Sequence, residues 1–465
     1  MKIVVAGAGA GKTTSMAQVV LDRLKEIVDG KFIYVITYTN AARDRIREKI
    51  IELNGKIPKQ LLIETSHVFL LREFIFPFHH LLYEQHFTKA SQIKLSDNAG
   101  YRGLKLKELA MNKIIHVEKV TETAKWIVCK KSKDKKETKE KRRKILEIIS
   151  RYLDSVFIDE AQDMDKHLAQ IVGVLDSKGI NMHLVGDPKQ DLRGRNAFRE
   201  LISQYEQNVE YISKNHRCPI SHVNLSNTYI SKEEQQTPQT RENGKLNFVF
   251  ESDVDINDFV RAGSWDYAFI YKKNERFITH ANDKNIAEQN LTYELESLVK
   301  KSAIKETEVD KYVYYLKKAI LKNLAKMNYF TIFSKLEKSL SIKLTSQDKG
   351  KLAGVFKMNC ETPSVEGIEV NSIDSIKGLE GNRCLFILTT DLAPYLFDEK
   401  KDQNKMLNYL YVSLTRAKKE LVFLVTNEVE NKYSKEAINK YFEEIISMKT
   451  TQSLVASSYI AATIK

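Results

Sequence analysis

Short apolar runs and helical spacings take turns along this chain. The run over residues 2–5, KIVV, suits a buried strand, and from Thr14 onward the spacing of Met16, Val19, Val20 and Leu24 predicts an amphipathic helix. Further strands are predicted in SVFI (155–158), HLVG (183–186), DYAFIYKK (266–273), CLFILTT (384–390) and LVFLVT (421–426). Between about 280 and 362 the chain is lysine-rich with helical periodicity, as in VDKYVYYLKKAILKNLAKM (309–327). The aromatic stripe of that segment reads as core rather than as a base-stacking platform.

At 465 residues the chain has room for about two to four domains. Its apolar fraction of 42% and charged fraction of 29% exclude a low-complexity or fibrous class. No apolar run approaches membrane-spanning length, and the start reads as a strand rather than a leader, so a cytoplasmic protein without a membrane partner is expected. Cys129, Cys218, Cys360 and Cys384 are scattered without a CxxC pair and suit reduced thiols. The net charge of +13 points to polyanions, although lysine-rich composition also occurs without such a partner.

The stretch AGAGAGKTT (6–14) links the first strand to the first helix. It has the spacing of a phosphate-binding loop, with Ala6 at the position that usually holds glycine. Backbone N–H groups of Ala6, Gly7, Ala8, Gly9, Ala10 and Gly11 would surround phosphate oxygens, and the helix N-terminus at Thr13 and Thr14 adds partial positive charge. Lys12 would reach the β- and γ-phosphates of ATP, and the Thr13 hydroxyl would face Mg²⁺. The bland alternative is a glycine turn beside a surface lysine.

A phosphate-transfer site also needs carboxylates. The predicted strand 155–158 runs directly into Asp159-Glu160, where Asp159 suits a Mg²⁺ ligand and Glu160 a base that polarises the attacking water. The polar loop after 183–186 ends in Gln190, a neutral amide able to sense the γ-phosphate without titrating.

Placed in order, VITYTNAA (35–42), IETSHVF (63–69), FIDEAQD (157–163), VGDPKQ (185–190), NHRCP (215–219), SIKGLEG (375–381) and YVSLTRAKKEL (411–421) resemble the motifs of UvrD/Rep-type superfamily 1 helicases. That resemblance implies an α/β fold of two RecA-like parallel-sheet domains with helical insertions, and ATP in the cleft between them. It implies a first domain over 1–75 and 150–213 with a basic helical insertion over 76–149. The second domain would span 214–279 and 363–465, with a small helical insertion over 280–362. Residues after about 446 read as a frayed or partner-bound tail. By the same resemblance Arg217 and Arg416 would act as arginine fingers, Glu380 would contact the ribose beside Gly378, and His216 would lie near the adenine. Thr39, Asn40, His67 and Lys377 would contact DNA. The basic run KKSKDKKETKEKRRK (130–144) has two open readings, a phosphate-backbone contact or a solvated charged arm.

Departures from that pattern bear on function. Five residues precede Ala6, which leaves no room for an upstream glutamine motif reading adenine; a later start than the true one, or weaker base selectivity, would account for it. After Gln190 the chain reads DLRGRNAF, without the aromatics that stack on single-stranded bases, and only Phe198 is at hand as a shifted substitute. Asp374 stands where a histidine is usual and would repel phosphate. Within the family the chain is similar to the helicase-like subunits of Gabija antiphage systems, particularly in IETSHVFLLREFIFPF (63–78). This implies a partner, an OLD-type ATPase-TOPRIM nuclease, and no nuclease motif is found in the chain itself. Two readings follow: a regulatory ATPase subunit that switches that nuclease, or an autonomous 3′–5′ DNA helicase.

Overall fold

The computed structural model describes residues 1–279, 283–324, 326–360 and 367–445. The tail expected after about 446 lies outside them. They form two compact units, one made of Met1–Glu84, Val120–Thr279 and the chain from Gly367, the other of Gln85–Lys119 with His280–Glu366.

The first unit holds two six-stranded sheets. In one, the strands lie side by side in the order Leu61–Thr65, Phe32–Thr37, Leu153–Ile158, Asn181–Gly186, Lys2–Ala6 and Val209–Ile212. Every neighbouring pair is parallel. A parallel sheet is covered on both faces by its crossover helices, which is why FIYVIT and LDSVFI are apolar almost throughout rather than alternating. The helix Lys12–Leu24 buries Met16, Ala17, Val20 and Leu21 against Ile33, Val35 and Phe157, while Val19 of the predicted stripe faces solvent. The second sheet runs Lys245–Phe250, Ala417–Val425, Gly381–Leu388, Tyr267–Ile270, Ile368–Ser372, Phe277–Thr279, again parallel throughout. The fold is therefore the expected α/β class with two parallel sheets.

The consequence for the site is geometric. Leu153–Ile158, Asn181–Gly186 and Lys2–Ala6 are adjacent and parallel, so the loops at their carboxyl ends emerge along one edge. That edge brings Asp159-Glu160, Asp187–Gln190 and the glycine loop together, where open α/β sheets bind ligands.

The stretch expected as one insertion over 76–149 is divided. Residues 85–119 cluster with the second unit, whereas the helices Phe76–Tyr83, Val120–Val128 and Lys136–Tyr152 belong to the first. Residues 136–144 of the basic run lie on Lys136–Tyr152, which buries Ile145, Leu146 and Ile149. Arg142 is buried there with them, paired to Asp134 at 2.8 Å and donating to the Tyr83 hydroxyl and the Trp126 carbonyl. It is a structural cation and is removed from the candidate DNA contacts. Lys141, Arg143 and Lys144 remain exposed.

The second unit is helical. Asp283–Val299, Val309–Asn323, Tyr329–Leu340 and Ser346–Cys360 share one core, to which Val309–Asn323 contributes Val309, Val313 and Ile320. The aromatic stripe read as core is not core: Tyr312, Tyr314 and Tyr315 are exposed. The aliphatic positions 309, 313, 316 and 320 keep the helical period by themselves, and the tyrosines occupy the opposite face.

Candidate functional site

The glycine loop joins Lys2–Ala6 to the helix Lys12–Leu24. Gly9 and Gly11 take φ of +71° and +75°, the left-handed region that a side chain disfavours. A Cβ on Gly11 would meet nothing within 4 Å, so the backbone there borders open space. No side chain caps the helix, which leaves its first-turn N–H groups, those of Lys12, Thr13 and Thr14 among them, to face a ligand. Lys12 Nζ donates to the carbonyls of Ala6 and Gly7, at 3.1 Å each.

Asp159 and Glu160 follow Leu153–Ile158 directly. Burial and the adjacent Glu160 carboxylate push the Asp159 carboxyl up, against the pull of Lys12. For Glu160 burial also disfavours charge, but Lys12, Lys377 and a hydrogen bond from Gln162 outweigh it and hold the group below its ordinary value. Glu160 sits at φ +52°, a conformation that costs on the order of 1–3 kcal/mol for a residue with a side chain and that clusters at functional sites. Gln162 also accepts from the Asp187 N–H at 3.0 Å, and Gln190 donates to Asp187 Oδ2 at 2.9 Å. The neutral amide of Gln190 is thus tied to the same edge, buried, with Lys12 acting on Asp187 from the glycine loop.

The arginines come from the other half of the unit. Arg416 is 1% exposed and donates to the carbonyls of Val412 and Leu379 and to Thr415 Oγ1. Among the described residues no carboxylate pairs with it. Burial and the neighbouring Arg217 guanidinium bring its pKa down to about 10, so it remains a cation at neutral pH. Arg217 is ion-paired with Glu380, which Lys418 also holds at 2.6 Å. The ribose role expected for Glu380 therefore requires that pair to open. His216 donates its backbone N–H to the Gly9 carbonyl at 2.9 Å and keeps its ring exposed beside the loop.

This donor set fits a polyphosphate. Among the described residues the hydrogen bonds of Lys12 and Arg416 all go to neutral oxygens; carboxylates act on these cations electrostatically without a direct ion pair, and their donors beside an open glycine loop make an anion seat. Among the described residues no group of three or more His, Cys, Asp or Glu side chains could hold a metal by itself. Mg²⁺ suits such a place, because it is held by one or two carboxylates plus substrate phosphates; Asp159 and Thr13 are the residues to supply the protein's share.

Sequence reasoning missed the residues that clasp the loop. The Ala8 N–H donates to the Tyr411 hydroxyl at 3.2 Å, and that hydroxyl donates to Gln236 Oε1. Gln236 Nε2 returns to the Ala8 carbonyl at 2.9 Å, and Asn215 donates to Gln236 Oε1. Gln236 lies so close over Gly7 that a Cβ there would meet its amide at 2.4 Å. Tyr411 opens the quoted YVSLTRAKKEL; nothing in EEQQTPQ marks Gln236.

A cavity of about 530 Å³ adjoins the edge. Thr39, His67, Lys377 and Gly378 line it with Glu160, as do Arg45, Arg193, Arg195 and Asp374. Asn40 is exposed at the start of the helix Asn40–Asn54 and is not in the lining. Thr37 Oγ1 and the Tyr38 hydroxyl are buried there without a hydrogen-bond partner among the described residues. Phe198 is 2% exposed and packs beside Gly186, so it cannot stand in for the missing stacking rings. The Tyr409 hydroxyl donates one hydrogen bond shared between the two Asp374 carboxylate oxygens.

A family model described as an AAA domain matches residues 1–194. Gabija protein GajB of Bacillus cereus (strain VD045) is 24% identical over 93% of this chain and 94% of its own. A solved arterivirus nonstructural protein 10 (helicase) with DNA aligns over 92% of this chain at 10% identity and a TM-score of 0.37. The chain spans 62% of the length of that helicase. The chain thus resembles UvrD/Rep-type helicases and is similar to GajB over nearly its whole length. Among the described residues no helix is long and apolar enough to cross a membrane.

Proposed function

We propose that this chain is a DNA-stimulated ATPase that serves as the helicase-like, GajB-like subunit of an antiphage complex and switches a GajA-like OLD-type ATPase-TOPRIM nuclease. The observation that carries the ATPase reading is Arg416, a buried cation with no carboxylate ion pair among the described residues, placed so that Glu160 acts on it electrostatically. Lys12 and the first-turn N–H groups would hold the β- and γ-phosphates. Glu160, kept ionised by Lys12 and Lys377, would take the proton of the attacking water, with Gln162 fixing its carboxylate. Arg217 and Arg416 would meet the charge that develops on the transferring phosphoryl, and Gln190 would orient the water or report the γ-phosphate. Asp159 and Thr13 would hold Mg²⁺, which would supply neutralisation of phosphate charge.

The cavity supports DNA as the activating ligand. It shares Glu160 with the hydrolytic edge, and its cations Arg45, Arg193, Arg195 and Lys377 suit phosphates, while the rings that line it, Tyr38 with its hydroxyl buried and the exposed His67, are too few to stack on successive bases. Such a surface grips backbone without the ring-by-ring stacking that stepwise translocation uses. A switch is therefore favoured over the autonomous 3′–5′ helicase. The test is ATP turnover with and without single-stranded DNA, beside an unwinding assay on a 3′-tailed duplex and co-purification with the nuclease. DNA-stimulated turnover, slow unwinding and a recovered nuclease are expected; fast processive unwinding by the isolated chain would restore the repair-type helicase.

A further inference from the structure

The helix Val309–Asn323 of the second unit exposes three tyrosines and three lysines. With 100° per residue, Val309, Val313, Leu316 and Ile320 fall on one side and enter the core. The other side carries Tyr314, Lys318, Lys311, Lys322, Tyr315 and Tyr312 in angular order, and all six are exposed. The tyrosines are 56%, 59% and 40% exposed at positions 314, 315 and 312. Tyr314 and Tyr315 meet edge to face, with centroids 5.5 Å apart and planes at 77°, so each leaves ring surface open. Among the described residues no carboxylate pairs with Lys311, Lys318 or Lys322, whereas Lys317, at the border of the core, approaches Glu288 at 3.8 Å. The face thus sets three uncompensated ammonium groups side by side, with Tyr314 on one flank and Tyr315 and Tyr312 on the other.

We infer that this face binds single-stranded DNA, its lysines tracking phosphates and its tyrosines stacking on unpaired bases. Three exposed rings on one helix are a surface kept for a ligand, since a merely solvated face would be polar. Charge complementarity names a polyanion. A protein partner fits less well, because interfaces are depleted in lysine. A duplex fits less well too, because its bases are already stacked and offer no ring faces. A positively charged track flanked by aromatic platforms is the combination by which single strands are held without sequence preference. The choice of DNA over RNA rests on the function proposed above; the site itself does not, since no residue of this helix belongs to the ATP-binding edge.

The experiment uses the full chain with fluorescein-labelled oligo-dT, oligo-rU and duplex DNA, and a bromodeoxyuridine-substituted oligo-dT for photocrosslinking. Binding should favour oligo-dT, and the crosslinked peptide should come from 309–323. Replacing Tyr312, Tyr314 and Tyr315 by Ala should weaken binding about tenfold per ring. Replacing them by Phe should retain it, which separates stacking from loss of the hydroxyls. Replacing Lys311, Lys318 and Lys322 by Gln should flatten the dependence of log K on log salt by about 2. ATP hydrolysis without DNA should not change in any variant, and unaltered melting temperatures would show that these exposed positions do not carry the fold. Crosslinking at 309–323 in a protein whose hydrolysis ignores DNA would uphold this site while overturning the function proposed above. Unchanged oligo-dT affinity in the Ala variant, tighter binding of oligo-rU, or loss of a protein partner in place of DNA would each overturn the inference.

Discussion

Lys377 Nζ lies 2.5 Å from Asp163 Oδ1, joining the SIKGLEG segment to the FIDEAQD segment across the first unit. Lys377 lines the cavity, while its charge also reaches Glu160 and helps keep that carboxylate ionised. One cation therefore touches both the surface proposed for DNA and the proposed base. Replacing it with Met removes a charge that lowers the Glu160 pKa, so that pKa must rise. The acid limb of the kcat profile should move to higher pH, and stimulation by DNA should shrink. Steady-state hydrolysis from pH 5 to 9, with and without oligo-dT, checks both. A Met variant with an unshifted limb would remove Glu160 from the role of base.

Glu160→Gln keeps the shape of the edge and the contact with Gln162 but cannot accept a proton. It should bind nucleotide as the wild type does and hydrolyse it about 10² or more times slower, the usual contribution of a general base. Lys12→Ala removes a charge that acts on Asp159, Glu160 and Asp187 alike, so binding and turnover should both fall. Nucleotide titration alongside single-turnover hydrolysis separates the two patterns.

Arg416 and Arg217 should differ although both were read as arginine fingers. Arg416→Lys keeps the charge but cannot reproduce three donations to Val412, Leu379 and Thr415. A loss of about 10³-fold in hydrolysis is expected if the guanidinium meets the transferring phosphoryl, with a lower melting temperature from the unmade hydrogen bonds. Arg217 is bound to Glu380 at the surface of the cleft, so Arg217→Lys should cost activity with little change in melting temperature. Paired hydrolysis and thermal-unfolding measurements decide this.

Much of this arrangement was legible because parallel strands announce themselves as continuous apolar runs and because spacing ties chemistry to their ends. KIVV before the glycine loop, SVFI before Asp159 and HLVG before the GDPKQ loop each place a functional turn at a strand terminus. Two kinds of residue escaped. Gln236 acts through a contact across 228 residues of sequence, and no local pattern foretells a partner so distant. In 309–323 the period was visible, and in the run 130–144 the charge was, but which side chains would be buried was decided by tertiary packing. The tyrosines went outward and Arg142 inward.

Arg142 supplies a prediction against the reading of its run as one uniform basic arm. Its pair with Asp134 is buried on both sides. Breaking a buried pair leaves one charge stranded, at a cost of about 3–5 kcal/mol, so Arg142→Gln should lower the melting temperature markedly. Burial raises the Asp134 pKa, but hydrogen bonds from Lys131 and Arg142 more than offset it and the folded value is depressed. Its stabilisation is thus present above the unfolded pKa near 4 and lost as pH falls through the lower folded value. The difference in stability between wild type and Arg142→Gln should narrow in acid, a trend that chemical denaturation at several pH values would show. Neutralising exposed Lys141, Arg143 and Lys144 should leave stability alone and flatten the salt dependence of DNA binding only if the arm contacts phosphates.

Tyr409 and Tyr411 project from the same helix, Lys405–Leu414, and serve opposite sides of it. The Tyr411 hydroxyl accepts from Ala8 in the glycine loop and donates to Gln236; the Tyr409 hydroxyl donates to Asp374 in the cavity wall. Tyr→Phe at either position keeps the ring and the packing and deletes one oxygen. At 411 that strands a buried N–H and leaves the Gln236 carbonyl with Asn215 alone, costing about 1–3 kcal/mol in the clasp on the loop. Nucleotide affinity should fall, whereas the relative stimulation by DNA should persist. At 409 the Asp374 carboxylate loses its donor beside Lys377 and presents unsatisfied oxygens to the cavity, which repel phosphate, so DNA should bind more weakly while nucleotide affinity stays. Titrations of both variants with nucleotide and with oligo-dT give a two-by-two result. If the variants lost both affinities together, the helix would be acting as a single rigid strut, and the nucleotide edge and the cavity would not be separately tunable.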